Sequence, residues 1–169
     1  MPKNSSKIIF NSSPLINLAK INSLNLIEEL FGQIIIPPAV RIEVIEQARN
    51  KDESSADIKE LIDNNIIEIK EVKNQTLVRS FQTYLDFGES EVIALALEIN
   101  AELIVIDEME ARETADNLNL NKTGFLGIII KAHNKDIIDS GIDLVDSAID
   151  QGFYISDNLY DKLVQKLSE

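Results

Sequence analysis

Short apolar runs alternate along the chain with longer amphipathic segments, and this alternation predicts the order of strands and helices. Strands are predicted at Lys7–Phe10, Gln33–Ile36, Ile66–Ile69 and Leu103–Ile106, with a short fifth strand near Lys122. Because these runs are almost entirely apolar, they are typical of a parallel sheet that is buried on both faces. We therefore predict an α/β fold of three layers, in which helices flank a central parallel sheet of four to five short strands.

Ten helices are predicted between and after these strands, from apolar residues that recur every three or four positions. Their predicted extents are Pro14–Ile21, Leu24–Phe31, Ala39–Ala48, Ala56–Asp63, Gln75–Leu85, Glu89–Ile99, Glu108–Leu118, Phe125–Asn134, Ile142–Asp150 and Asp157–Leu167. Ser13 is predicted as the N-cap of the first helix, with Pro14 as its first residue, and Gly32 as the C-cap of the second. The polar tract Arg49–Ser55 is predicted to be a flexible loop.

The composition is that of one domain, 1–169, with a sizeable core. The chain has 169 residues, of which 44% are hydrophobic and 27% charged, so collagen-like, low-complexity and disordered classes are excluded. The absence of Cys and the single His argue against a disulfide framework and a zinc centre. No Gly-rich phosphate loop is present. The polar N-terminal residues lack a signal-peptide core and no run approaches a membrane span, so we expect a cytoplasmic protein without membrane contact.

Acidic residues strongly outnumber basic residues. The 29 Asp and Glu and the 16 Lys and Arg give a net charge of −13, which repels polyanions and argues against nonspecific nucleic-acid binding. The 6 Phe and 3 Tyr are too few and too scattered for a base-stacking platform. Any nucleic-acid function therefore requires a local site, a bound metal or a partner. The surplus carboxylates suit hard cations such as Mg²⁺ or Mn²⁺, which prefer oxygen ligands.

Polar residues that directly follow the predicted strands are the first site candidates, since function in open parallel sheets lies at the carboxyl ends of the strands. Asn11 follows the first strand, and Asp107 follows the fourth. Each also has a structural interpretation. Asn11 would satisfy the turn before Ser13, and Asp107 with Glu110 fits a helix capping box. Spacing alone favours the cap for Asp107.

Two glutamates on predicted helices add to these candidates. Glu91 lies in the first turn of a helix that is apolar around nearly its whole circumference, so it needs a partner such as a shared cation. The structural alternative is that the Glu91 charge only complements the helix dipole. The same alternative applies to Glu89. Glu43 borders the buried stripe of its helix, where most glutamates are solvated. For no single candidate residue is the functional interpretation stronger than the structural one. The functional argument therefore depends on the candidate residues taken together.

Five stretches of the chain, taken in order, resemble the PIN-domain nucleases. They are Ile8–Ile16, Phe31–Val44, Gly88–Ala96, Ile104–Glu108 with Arg112, and Gly152–Tyr160. Each motif alone is loose, but five in the same order are fairly specific. The chain is most similar to an uncharacterised PIN-like family related to toxin–antitoxin ribonucleases, over roughly residues 8 to 165.

The resemblance implies an acidic pocket at the strand ends that binds Mg²⁺ or Mn²⁺. Carried over by position, the family's metal ligands fall on Asn11, Glu43, Glu91 and Asp107, and the last three are its catalytic acids. The candidate accessory residues are Ser13, Glu108, Glu110 and Arg112. The chain departs from the family at Asn11, where a typical PIN nuclease has Asp, so one ligand charge is missing. We expect the four ligand side chains to converge in one crevice.

The resemblance implies a metal-dependent endoribonuclease, including the toxin component of a toxin–antitoxin pair. An alternative is a catalytically weakened PIN-like module that binds nucleic acid or protein without cleavage, because Asn11 replaces the first acidic ligand. A purely structural or dimerising module is a third interpretation. The expected partners are single-stranded or structured RNA, a small antitoxin protein and a second copy of the chain in a homodimer. For a nuclease, Glu91→Gln is expected to abolish cleavage.

Overall fold

The computed structural model describes residues 7–47 and 53–168, whose five strands form one parallel sheet. The strands are β1 Ile8–Phe10, β2 Ile34–Ile36, β3 Ile67–Ile69, β4 Leu103–Val105 and β5 Lys122–Thr123. Their order across the sheet is β3-β2-β1-β4-β5, and every neighbouring pair is parallel. The predicted α/β class with a central parallel sheet is therefore confirmed.

Ten α-helices flank this sheet in the described ranges. They are α1 Ser12–Lys20, α2 Asn25–Phe31, α3 Pro38–Arg41, α4 Glu53–Asp63, α5 Gln75–Phe81, α6 Phe87–Ile99, α7 Met109–Asn117, α8 Phe125–Asn134, α9 Gly141–Asp150 and α10 Asp157–Leu167. Gly32 ends α2 with a φ of 75°, which confirms its predicted role as a C-cap. No helix in the described part of the chain is long and apolar enough to cross a membrane.

Strand β1 lies at the centre of the sheet and of the core. Ile9 and Phe10 are fully buried, because β2 and β4 flank the strand and α6 packs against both β1 and β4. Phe10 pairs with Val105, so β1 and β4 end side by side. The Asn11 N–H continues this pairing by donating to the Val105 carbonyl at 2.9 Å. The residues that follow the two strands are therefore neighbours.

The first helix begins earlier than predicted. The predicted N-cap at Ser13 is wrong, because α1 starts at Ser12 with Asn11 at the N-cap position. Pro14 is then the third helical residue. The first N–H groups of a helix have no intrahelical acceptor, so Pro is accommodated there without loss of a hydrogen bond.

The segment after Pro38 is not the continuous α-helix that was predicted. A π-helical segment, Ile42–Glu46, follows α3, and the Gln47 N–H donates to the Ile42 carbonyl at 2.9 Å. Each π-helical turn holds one more residue than an α-helical turn, so the faces of this segment rotate relative to the predicted ones. The predicted end at Ala48 lies outside the described residues.

The predicted loop Arg49–Ser55 is only partly described. Its residues 49–52 lie outside the described ranges, but α4 already begins at Glu53, so the prediction is wrong for its last three residues. Ser55 is buried and its hydroxyl donates to the Val44 carbonyl at 3.1 Å. A polar side chain in that position belongs to the packed helix rather than to a solvated loop.

Two further helix limits differ from the prediction by two residues or more. Helix α5 ends at Phe81 instead of Leu85, and the chain continues through turns to α6. Helix α6 begins at Phe87, two residues earlier than predicted, because Asp86 caps it. This shift brings Gly88 and Glu89 into the first turn of α6, next to the carboxylates described below.

Candidate active site

Residues that follow β1 hold the carboxylate of a glutamate that follows the neighbouring strand, β4. Asn11, which is only 2% exposed, donates from Nδ2 to Glu108 Oε2 at 3.2 Å. The Ser13 hydroxyl donates to the other oxygen, Glu108 Oε1, at 2.7 Å. Asn11 makes no side-chain hydrogen bond to the start of α1, so its predicted alternative as a simple turn residue is wrong. Two donors at the end of β1 therefore hold Glu108.

Asp107, directly after β4, reaches the next helix along the sheet. Its Oδ1 accepts from the Phe125 N–H at 2.9 Å at the start of α8. Helix α7 has Glu108, not Asp107, at its N-cap position and no side-chain cap, so the capping box of Asp107 with Glu110 is wrong. Burial raises the pKa of Asp107, the Phe125 N–H opposes this, and the nearby Glu108 charge adds to the increase.

Gly124 and Arg112 fix the surroundings of Asp107. A Cβ at Gly124 would overlap Asp107 Oδ1, so the approach of the carboxylate to the start of α8 requires glycine. Arg112 donates from Nη1 to the Ile106 carbonyl at 2.9 Å, and its charge lowers the pKa of Asp107. Arg112 therefore positions the end of β4.

Glu43, on the π-helical segment, points to the same edge of the sheet. Its Oε2 accepts from the Ser12 hydroxyl at 2.5 Å. A Cβ at Gly88 would overlap Glu43 Oε1, so the carboxylate lies against the first turn of α6. Burial raises the pKa of Glu43, and the carboxylates of Asp86 and Glu108 raise it further, while hydrogen bonding to Ser12 and to the Gly88 backbone opposes both.

Glu89 is part of this group, although the sequence pattern did not indicate it as a site residue. Asp86 and Glu89 form a capping box: the Glu89 N–H donates to Asp86 Oδ1 at 2.7 Å, and the Asp86 N–H donates to Glu89 Oε2 at 3.2 Å. Burial raises the pKa of Glu89 to about 7, and the charges of Asp86, Glu108 and Glu43 contribute. The signal available in the sequence was Asp86 three residues before Glu89, which is a capping-box pattern.

Glu91 hydrogen bonds to the start of α3, which follows β2. Its Oε1 accepts from the Ala39 N–H at 2.7 Å, at the start of α3, and the residue is only 3% exposed. Burial raises the pKa of Glu91 and the Ala39 N–H lowers it, without a contribution from any other carboxylate in the described chain. Residues two apart on a helix project about 200° apart, so the Glu89 and Glu91 side chains leave α6 in nearly opposite directions. Glu91 therefore contacts the start of α3, which follows β2, and not the other candidate carboxylates, so its convergence with Asn11, Glu43 and Asp107 stays a prediction.

Glu110 also lies apart from the carboxylates. It is exposed and lines a cavity of about 410 Å³ with Phe81 and Tyr84.

Among the candidate residues, the structure joins Asn11, Ser13 and Glu108 by hydrogen bonds. The neighbouring carboxylates act on one another electrostatically, as the pKa changes of Glu43, Glu89 and Asp107 indicate.

The donor types at this edge fit a hard cation. Asn11 Oδ1 and Asp107 Oδ2 are buried and have no hydrogen-bond partner in the described structure. Such oxygens are costly to leave unpaired, and Mg²⁺ and Mn²⁺ prefer oxygen ligands. Among residues 7–47 and 53–168, however, no three His, Cys, Asp or Glu side chains already stand in position around one metal ion. Metal binding at this edge therefore requires side-chain movement, because hydroxyl and backbone groups now hold the carboxylates.

The sequence of residues 7–169 matches a family model described as PIN domain. The chain belongs to the PIN-domain family. The match spans every candidate residue of this PIN domain, from Asn11 after β1 to Arg112 on α7. No curated protein matches the chain significantly. PIN domains are in general nucleases and generally use divalent metals.

Proposed function

We propose that this PIN domain is a Mg²⁺- or Mn²⁺-dependent endoribonuclease with its centre where β1, β4 and α6 meet. The observation that carries the proposal is the pair of buried, unpartnered oxygens, Asn11 Oδ1 and Asp107 Oδ2, beside carboxylates that raise one another's pKa. Such a group repels itself when it is ionised, so a divalent cation would stabilise it. The family supplies the reaction class, phosphodiester hydrolysis.

The residues of this centre have separable roles. A bound metal would activate water and stabilise the leaving oxygen. Asn11 and Asp107 would provide the unpaired oxygens, and Glu43 a further carboxylate once it leaves the Ser12 hydroxyl. Glu89 lies in the first turn of α6 and adds negative charge beside Glu43.

Glu91 has a positioning role in this proposal. Its carboxylate accepts from the Ala39 N–H and so fixes the start of α3. The π-helical segment that carries Glu43 directly follows α3. Glu91 would therefore act on the centre through the placement of Glu43, instead of as the ligand and catalytic acid that the resemblance implies.

The second candidate function is a PIN-like module that binds RNA or protein without cleaving. The observation in its favour is that a neutral amide, Asn11, stands at the end of β1 and donates to Glu108. RNA as the substrate, a small antitoxin protein as a partner and a homodimer as the assembly rest on the family resemblance.

The deciding experiment compares cleavage of a mixed single-stranded and structured RNA in Mn²⁺, Mg²⁺ and EDTA. Glu43→Gln and Asp107→Asn should abolish metal-dependent cleavage, because each removes a carboxylate of the centre. Glu110→Gln is the matched control, because Glu110 is exposed and lines a different cavity. Metal-dependent retention of RNA without cleavage would support the binding module. Equal cleavage by Glu43→Gln, Asp107→Asn and Glu110→Gln would overturn the proposed centre.

A further inference from the structure

Glu108 lies at the N-cap position of a helix, but its side chain contacts another element. It stands at the N-cap of α7 with φ −67° and ψ 134°, yet its side chain makes no hydrogen bond to that helix. The residues that ordinarily cap a helix from this position are Ser, Thr, Asp and Asn, and Glu is not among them. The Glu108 side chain instead turns toward the end of β1, where Asn11 and Ser13 donate to its two oxygens at 3.2 and 2.7 Å.

Asn11 is matched to Glu108 by its chemistry. Its Nδ2 donates to Glu108 Oε2, which leaves Oδ1 of the same amide buried and without a partner. An aspartate at position 11 has no hydrogen to donate and would place a second carboxylate against Glu108. Asn11 with Glu108 therefore carries one negative charge, the same as an aspartate at position 11 beside a neutral residue at position 108.

Glu108 adjoins both residues that carry the unpartnered oxygens of the proposed centre. It directly follows Asp107, whose Oδ2 is buried without a partner, and it accepts from Asn11, whose Oδ1 is buried without a partner. The Glu108 carboxylate is therefore held beside the oxygens that would bind the cation.

We propose that Glu108 supplies the metal-ligating charge that Asn11 lacks, and that Asn11 and Ser13 orient its carboxylate for this role. The inference rests on the proposed function, because it concerns the same metal centre. The family resemblance expects this charge at position 11, at the end of β1. The inference places it on Glu108, directly after Asp107. Asn11 then contributes a neutral oxygen ligand and a donor that positions Glu108.

Variants that move the negative charge from position 108 to position 11 test this assignment. The variants are Glu108→Gln, Asn11→Asp and the double variant, with Glu110→Gln as the control. Mn²⁺ affinity is measured by titration calorimetry, and the melting temperature is measured in EDTA and in Mn²⁺. The single amide oxygen introduced by Glu108→Gln can accept from Asn11 Nδ2, and the Ser13 hydroxyl can accept from the amide nitrogen, so the variant should fold while its Mn²⁺ affinity falls by about tenfold or more.

The double variant should recover most of that affinity, because the aspartate introduced by Asn11→Asp then carries the charge and the amide introduced by Glu108→Gln donates to it. Asn11→Asp alone should lower the melting temperature in EDTA and show a larger Mn²⁺-induced increase than the wild type. This variant also tests the inference if Glu108→Gln fails to fold. Wild-type Mn²⁺ affinity in Glu108→Gln, or a double variant no better than Glu108→Gln, would overturn the inference alone. Absence of Mn²⁺ binding to the wild type would overturn the proposed function together with it.

Discussion

At the scale of single residues, the placement of carboxylates at this edge depends on small neighbours. Gly88 and Gly124 stand where any side chain would overlap Glu43 Oε1 and Asp107 Oδ1. The Ser12 hydroxyl holds the second oxygen of Glu43. The sequence shows that these positions are small, but it does not show which acid lies against each of them. The carboxylates were therefore predictable as candidates, and their contacts were not.

Gly88→Ala should disable the centre without unfolding the protein. The added Cβ would displace the Glu43 carboxylate, whereas Ala stabilises a helix relative to Gly by about 1 kcal/mol and so offsets part of the strain. We expect Mn²⁺ affinity to fall by about tenfold, with a change in unfolding free energy below about 2 kcal/mol. Calorimetry and urea unfolding measure the two quantities. Unchanged Mn²⁺ affinity would show that Glu43 is not a ligand.

At the scale of elements, the strands were predictable from the sequence. The side of α6 that faces the strand ends was not. The apolar runs of β1 and β4 indicate a sheet buried on both faces, and the structure has that sheet. Helix α6 is buried around its circumference from Gly88 to Ala96, so its hydrophobic pattern does not indicate which acid faces the strand ends. The sequence pattern favoured Glu91, whereas Glu89 lies with the other carboxylates. The π-helical segment was not predictable either, because the hydrophobic pattern does not indicate its hydrogen bonds.

Substitutions at Glu91 separate a positioning role from a ligand role. Glu91→Gln keeps an oxygen for the Ala39 N–H, so Mn²⁺ affinity should stay within about threefold of the wild type, less than a lost ligand would cost. Glu91→Ala leaves that buried N–H unpaired and should cost about 1–3 kcal/mol of unfolding free energy. Urea unfolding and calorimetry on both variants provide the comparison. Loss of Mn²⁺ binding in a fully stable Glu91→Gln variant would restore Glu91 as a ligand.

At the scale of the whole molecule, the acidic composition determines what the binding of RNA would require. A net charge of −13 repels polyanions, so an RNA substrate requires charge neutralisation at the site. Carboxylates held near one another would provide this only when a cation is bound. The family match to residues 7–169 agrees with the predicted resemblance, and the general nuclease class follows from it.

The stability of the metal-free protein should fall as the pH rises from about 4.5 to about 7. The pKa of Glu89 is raised from 4.5 to about 7, so the folded state binds a proton more tightly than the unfolded state in this window. The stabilisation is fully present below pH 4.5 and is lost through pH 7, with a slope of at most about 1.4 kcal/mol per pH unit for one proton. Urea unfolding in EDTA measures it. Glu89→Gln should reduce the pH dependence of the unfolding free energy. An identical pH dependence in that variant would show that Glu89 is not its source.

The location of Mn²⁺ in a crystal of the wild-type protein tests the central claim most directly, because anomalous scattering identifies the ion and its ligands together. We expect a peak at the ends of β1 and β4, with oxygen atoms of Asn11, Glu43, Asp107 and Glu108 among its ligands at about 2.1 Å. Glu91 should remain on the Ala39 N–H. A peak elsewhere, or none at this edge at millimolar Mn²⁺, would contradict the account.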